Sequence, residues 1–248
     1  MKITVVIPTY NEAENLPKLV SALFSLPLDL RVLVVDDNSP DGTGVVADEL
    51  ARQHAGRVRV LHRAGKQGLR TAYLAGFASA LETETDVIVQ MDADFSHDPS
   101  ALVAMSERLA SCDVVLGSRY VSGGSVDERW PFWRKGLSAF GNFYARTILR
   151  LPLRDVTTGY RMWRRETLEG LPLNRIQANG YIFLVEMAYL AHCLEYKIGE
   201  APIYFADRRW GKSKMSFKIQ AEAALRVWQV KWHFRDLHQK GKAARRRA

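Results

Sequence analysis

The chain reads as an α/β protein whose mostly parallel, Rossmann-like sheet is covered by helices on both faces. Three observations predict this. Short, near-continuous Val/Ile runs recur through the first half, as strands buried on both faces require. Segments with helical spacing separate them, which is the βαβ alternation of a parallel sheet. The composition of the 248 residues, 47% apolar and 25% charged, belongs to a globular chain able to bury a sizeable core.

Taken in order, Ile3–Pro8 predicts the first strand and Asn15–Leu26 a helix. A second apolar run, Val32-Leu33-Val34-Val35, makes Arg31–Asp36 a strand, and Gly44–His54 follows as helix. Val58–His62 is a short strand, Gly68–Leu81 an Ala-rich helix, and Asp86–Met91 a strand around Val87-Ile88-Val89. Pro99–Ala110 reads as helix and Asp113–Gly117 as strand. The second half is less regular. Ser122–Glu128 reads as a Gly/Ser loop, Trp133–Arg150 as helix and Asp155–Tyr160 as a turn. Tyr181–His192 reads as helix, Ile198–Phe205 as strand, and Phe217–Phe234 as a long helix. Its polar residues Lys218, Glu222, Arg226 and Gln229 form a narrow stripe. The wide apolar remainder suits either core packing or a membrane interface.

Several classes are excluded. Cys112 and Cys193 sit singly, which argues for a reducing compartment and against a thiolate metal site. The six histidines show no metal-ligand spacing. No apolar run is long enough for a spanning helix, and Pro8-Thr9-Tyr10-Asn11-Glu12 interrupts the opening stretch too early for a signal peptide. The net charge of +8 is unevenly placed: residues 206–248 carry 13 basic and 3 acidic side chains, leaving the first 205 slightly acidic. Such a segment suits an anionic partner. The acidic strand ends described next argue against a specific nucleic-acid binder.

Ligands on parallel sheets bind beyond the carboxyl ends of the strands. Those ends carry Pro8-Thr9-Tyr10-Asn11-Glu12, Asp36-Asp37-Asn38-Ser39-Pro40-Asp41-Gly42, Asp92-Ala93-Asp94 and Ser118-Arg119-Tyr120. In an extended stretch Asp92 and Asp94 face the same way and can meet one hard cation, Mg²⁺ or Mn²⁺, shared with substrate phosphates. Asp98 ahead of Pro99 reads instead as a helix-start residue. One carboxylate of Asp36-Asp37 can accept hydrogen bonds from a nucleobase or ribose, while the residues after it are turn formers. No G-x-G-x-x-G is present, and Gly211-Lys212-Ser213 lacks the rest of a P-loop. Phosphates must then be held by metal and by basic side chains. The candidates are Arg119, Arg134 and the loop with Arg208, Arg209, Lys212 and Lys214.

Together these motifs resemble the inverting family 2 glycosyltransferases of GT-A fold. Ser39-Pro40-Asp41-Gly42-Thr43, Trp130-Pro131-Phe132-Trp133-Arg134-Lys135 and Arg208-x-x-Gly211-x-Ser213-Lys214 resemble, more narrowly, the dolichol- and polyprenol-phosphate mannose synthases. The resemblance spans about residues 3 to 230. It implies GDP-mannose as donor and a polyprenyl or dolichyl phosphate as acceptor. It assigns Pro8, Tyr10, Glu12, Val35 and Asp37 to the nucleotide, and Asp92, Ala93 and Asp94 to the diphosphate and its metal. Arg208 and Lys214 go to the leaving phosphates, and Arg119, Arg134 and Ser138 to the acceptor phosphate. Some relatives have Gln where Ser96 completes the metal set here, and Lys where Ile182 stands. The expected organisation is one catalytic domain over 1–234, with a nucleotide half (1–120) and an acceptor half (121–234), then a disordered basic tail over 235–248. The expected setting is the cytoplasmic face of an anionic membrane, with or without a membrane-embedded partner protein. A related family 2 transferase using UDP-glucose or another nucleotide sugar on a lipid phosphate or glycan is the alternative.

Overall fold

The computed structural model describes residues 1–207 and 217–237, the latter segment with side chains from residue 224. The first half follows the alternation read from the sequence. It runs β1 (Lys2–Thr9), α1 (Leu16–Phe24), β2 (Asp29–Asp36), α2 (Thr43–Gln53), β3 (Val58–His62), α3 (Leu69–Leu81), β4 (Val87–Gln90), α4 (Ala101–Leu109) and β5 (Val114–Ser118). The expected helix start at Pro99 shifts to Ala101 because the Ser100 N–H donates to Asp98 Oδ1 (2.9 Å), a local turn that precedes the helix.

The second half holds more structure than expected. β6 (Ser125–Val126) lies inside the predicted loop, and α5 (Phe132–Leu149) follows. β7 (Arg161–Arg164) and α6 (Arg165–Gly170) were not predicted. A 3-10 turn (Leu173–Arg175), α7 (Tyr181–Cys193), β8 (Ile198–Pro202), β9 (Tyr204–Phe205) and α8 (Phe217–His233) complete the chain. The single predicted strand over 198–205 is two. At Pro202 the chain leaves the large sheet, and Tyr204–Phe205 pairs with β6 in a small one.

The large sheet has the order β3-β2-β1-β4-β7-β5-β8. All pairings are parallel except those of β7, which runs antiparallel between β4 and β5. β7 and β8 therefore place the second half of the chain inside the sheet begun by the first. The period-2 alternation of β1 sends Val6 to one apolar core with α3, α5, α7 and α8, and Ile3, Val5 and Ile7 to another with α1, α2 and α4. β7 is pinned by the buried Trp163, whose indole N–H donates to Gln90 Oε1 (2.8 Å).

α8 packs one face on the core and leaves other apolar side chains exposed. Val227, Val230 and Phe234 are buried, while Leu225, Trp228 and Trp232 are exposed. The first three residues of the tail expected over 235–248 are helical and packed: Arg175 donates to both carboxylate oxygens of Asp236 (2.9 and 3.0 Å), and Leu237 packs on the core. Residues 238–248 lie outside the described residues.

Gly76 on α3 sits against the sheet. A Cβ there would lie 2.4 Å from Val6 Cγ1 and 3.0 Å from Val35 Cγ2, both on stiff β-branched side chains. Gly76→Ala is expected to lose about 1–3 kcal/mol of stability in denaturant unfolding, despite the better helix propensity of alanine.

Candidate active site

The carboxyl ends of β1, β2, β4 and β5 open on one edge of the sheet. β7 runs the other way, so its preceding turn, 155–160, arrives at that same edge. Three non-glycine residues with positive φ mark the strand ends: Asn11 (63°), Asn38 (56°) and Phe95 (59°). Asn tolerates this conformation, but Phe95 is strained there, directly after Asp94.

On the β1–β2 side, Pro8 and Val35 are cross-strand neighbours. The Glu12 N–H donates to Thr43 Oγ1 (2.9 Å), and the Glu12 carboxylate accepts from Asn15 Nδ2 (2.8 Å). The Tyr10 ring lies under Lys66 Nζ at 3.8 Å. The paired acids separate by role. Asp36 accepts from Ser39 N (3.1 Å), Ser39 Oγ (2.6 Å) and Thr9 Oγ1 (3.1 Å), so it builds the turn. Asp37 faces Arg63 Nη1 at 2.7 Å. Burial raises the Asp37 carboxyl from its ordinary value, outweighing the pull of Arg63. Arg63 was not foreseen, since nothing local in the sequence pairs it with Asp37.

At the β4 end, Asp94 Oδ1 accepts the Ser96 N–H (3.0 Å). Ser96 Oγ is buried and, among the described residues, has no hydrogen-bond partner. The Asp92 carboxylate accepts from the Tyr73 hydroxyl (3.2 Å), and the Asp92 N–H donates to His97 Nδ1 (3.1 Å). Burial, reinforced by the charge of Asp92, raises the Tyr73 phenol well above its ordinary value and keeps it a proton donor. The described residues hold no group of three His, Cys, Asp or Glu side chains placed to bind a metal. Asp92, Asp94 and the unpartnered Ser96 hydroxyl are hard oxygen donors of the kind a divalent cation shared with phosphate takes.

At the β5 end the arginine has a partner the sequence did not reveal. Arg119 Nε donates to Asp155 Oδ2 (2.7 Å), and Nη2 donates to Asp155 Oδ1 (2.8 Å) and Thr157 Oγ1 (2.8 Å). Both residues are buried. Burial opposes charge on each, yet the ion pair outweighs it, so Arg119 is raised and Asp155 lowered from their ordinary values. From Thr157 the network runs to Asn142 Nδ2 (3.0 Å), which also donates to the Ser138 carbonyl (3.3 Å). Tyr120 donates its hydroxyl to Ser138 Oγ (2.8 Å). Arg119 and Ser138 are thus brought into one cluster.

Arg134, one helical turn before Ser138, lies over the Trp130 ring (3.8 Å) and pairs with Asp207 (2.9 Å). Asp155, Thr157 and Asp207 were missed because each lies far along the chain from the arginine it serves, and Asn142, one helical turn after Ser138, because its partner Thr157 comes from a separate turn. Arg208 and Lys214 lie outside the described residues.

Residues 4–171 match the family described as Glycosyl transferase family 2. The chain belongs to glycosyl transferase family 2. It is therefore a glycosyltransferase. A polyprenol monophosphomannose synthase of Mycolicibacterium smegmatis is 44% identical over 93% of this chain and 86% of its own. An undecaprenyl-phosphate mannosyltransferase of Micrococcus luteus is 45% identical over 92% and 93% of the two chains. A dolichol-phosphate mannosyltransferase of Pyrococcus furiosus is 37% identical over 94% of this chain and 64% of its own. Among solved structures, glucosyl-3-phosphoglycerate synthase of Mycobacterium tuberculosis, in complex with Mn²⁺, UDP and phosphoglyceric acid, superposes with a TM-score of 0.63. It is 16% identical over 92% of this chain and 76% of its own. The fold of this family 2 transferase is accordingly GT-A.

Removing one partner of a buried ion pair leaves the other charge uncompensated. Asp155→Asn is expected to lose about 3 kcal/mol or more in denaturant unfolding at pH 7. Because folding lowers the Asp155 value, its contribution is full above the unfolded carboxylate value of about 4 and fades as pH falls through the folded one. The gap between wild type and variant should therefore narrow in acid.

Proposed function

We propose that this transferase moves mannose from GDP-mannose to a polyprenyl monophosphate with inversion at the sugar carbon, giving a polyprenyl β-D-mannosyl phosphate. The observation that carries the reading is the sheet edge itself, where the Asp92–Asp94 pair and the Arg119–Ser138 cluster open on the same side. The names of the Mycolicibacterium and Micrococcus relatives support the sugar and the acceptor class. The nucleotide is assigned to Pro8, Tyr10, Glu12, Val35 and Asp37. The diphosphate is assigned to Asp92, Ala93 and Asp94, with Arg208 and Lys214 as further cations.

A Mg²⁺ or Mn²⁺ ion held by Asp92, Asp94 and Ser96 would supply charge neutralisation of the departing diphosphate. Mn²⁺ in the mycobacterial structure supports a divalent cation as cofactor. Arg119, Arg134 and Ser138 orient the incoming phosphate. That phosphate is already an anion at pH 7, its second pKa being about 6, so no carboxylate or imidazole has to remove a proton from it. One of its oxygens attacks the sugar C1 in line, the C1–O bond to the diphosphate breaks, and its electron pair leaves on GDP. Arg134 is paired with Asp207, so an acceptor phosphate at that guanidinium takes the place of a carboxylate.

A lipid acceptor sets the reaction at a membrane, and we place the protein on the cytoplasmic face of one. No helix among the described residues is long and apolar enough to cross a membrane. α5 exposes Phe132 (93%), Trp133, Phe140 and Phe143, and α8, packed beside it, exposes Leu225, Trp228 and Trp232. Aromatic residues interleaved with Arg134, Lys135, Arg226 and Lys231 suit an anionic lipid interface.

Two measurements test the reading. Labelled sugar should enter a short polyprenyl phosphate from GDP-mannose and not from UDP-glucose, and should stop in EDTA. Asp94→Ala should lower the rate at least about a hundredfold; full metal-dependent activity in that variant contradicts the assignment. Replacing Phe140, Phe143 and Trp232 with Ser should cut flotation with anionic vesicles at least about tenfold. Transfer to a water-soluble acceptor analogue should be left intact.

A further inference from the structure

The Asp92 carboxylate stands at a strand end, where two side-chain torsions are free to turn unless something fixes them. Two buried residues outside the substrate-binding set engage Asp92, one at the carboxylate and one at the main chain. From α3, the Tyr73 hydroxyl donates to Asp92 Oδ1 at 3.2 Å. From the turn after Asp94, His97 accepts the Asp92 main-chain N–H on Nδ1 at 3.1 Å. Both are fixed in turn. The Tyr73 ring stacks between Phe77 (5.8 Å) and Phe183 (6.1 Å). The His97 ring stacks on Tyr160 (4.8 Å) and meets Phe205 edge-on (5.7 Å). Gly159 lies beside them: a Cβ there would be in ordinary contact with His97 Cε1 (3.4 Å) and Asp92 Oδ2 (3.9 Å).

The Tyr73 hydroxyl is not needed for packing. Its ring is fully buried among aromatic rings, where phenylalanine would fill nearly the same volume. A buried hydroxyl costs free energy unless it is hydrogen-bonded, and this one is aimed at a single carboxylate oxygen. Groups that orient a metal-binding side chain commonly matter as much for affinity as the ligands they hold.

We propose that Tyr73 and His97 are positioning residues that fix Asp92, engaging Oδ1 and the main chain so that Oδ2 faces the divalent cation. This rests on the metal reading given above. Pre-fixing the carboxylate removes an ordering cost from cation binding. The consequence is specific. Loss of the Tyr73 hydroxyl weakens the cation rather than the chemistry.

The test is Tyr73→Phe, compared with wild type in two assays. The first is titration of free Mn²⁺ by electron paramagnetic resonance in the presence of GDP, which needs no turnover. The second is the Mn²⁺ dependence of transfer. The expected result is about tenfold to hundredfold weaker Mn²⁺ binding. The Mn²⁺ concentration for half-maximal rate should rise in parallel, with the rate at saturating Mn²⁺ within about twofold of wild type. A melting temperature close to wild type would exclude loss of folding. As a second variant, His97→Asn keeps an acceptor near the Nδ1 position and should bind Mn²⁺ more tightly than His97→Leu. Wild-type Mn²⁺ affinity in Tyr73→Phe overturns the proposal while leaving the metal reading intact. Wild type that binds no Mn²⁺ with GDP overturns the metal reading and the proposal together.

Discussion

The antiparallel insertion of β7 between β4 and β5 is the constraint on which the site depends. A strand entering there from the carboxyl edge must deliver its preceding turn at that edge. That turn carries Asp155 and Thr157, the partners of Arg119, and Gly159, the neighbour of Asp92. Trp163 and Gln90 lock the register through one buried hydrogen bond. Were β7 to slip by one residue, Trp163 would leave its core and the Arg119 cluster would lose its anchor.

The same strand bears an electrostatic load. Arg161 is fully buried, with Nε donating to the Thr158 carbonyl (2.9 Å) and Nη2 to the Val156 carbonyl (3.0 Å). Burial pushes its guanidinium down to about 9, only partly offset by the nearby charge of Asp155. These two bonds clamp the turn shut around the residues that face the site. The charged groups along the edge are held in pairs of opposite sign: Asp37 with Arg63, Arg119 with Asp155, and Arg134 with Asp207.

Much of this was legible in the sequence. Repeating Val/Ile runs marked the parallel strands, and the polar strand ends marked the edge on which the candidate site residues gather. Asp92-Ala93-Asp94 stood out because its spacing and its position after a strand agreed. The second half resisted because its signals are short or long-range. β7 is four residues long with arginine at both ends, so it does not look like a buried strand. Arg119 and Asp155 are separated by 36 residues, and Arg134 and Asp207 by 73, and no local pattern links such pairs. The periodicity of α8 left core packing and lipid contact equally open. Only its placement beside α5 shows that Val227, Val230 and Phe234 serve the core while Leu225, Trp228 and Trp232 remain outside.

The central claim is that Asp92 and Asp94, fixed at the end of β4, form the cation end of a two-phosphate site. Anomalous diffraction at the manganese edge from crystals grown with GDP and Mn²⁺ tests it most directly. One strong peak is expected within about 2.5 Å of carboxylate oxygens of both residues, with the GDP diphosphate completing the shell. A peak held by other residues, or GDP bound at full occupancy with no manganese at these carboxylates, would contradict it.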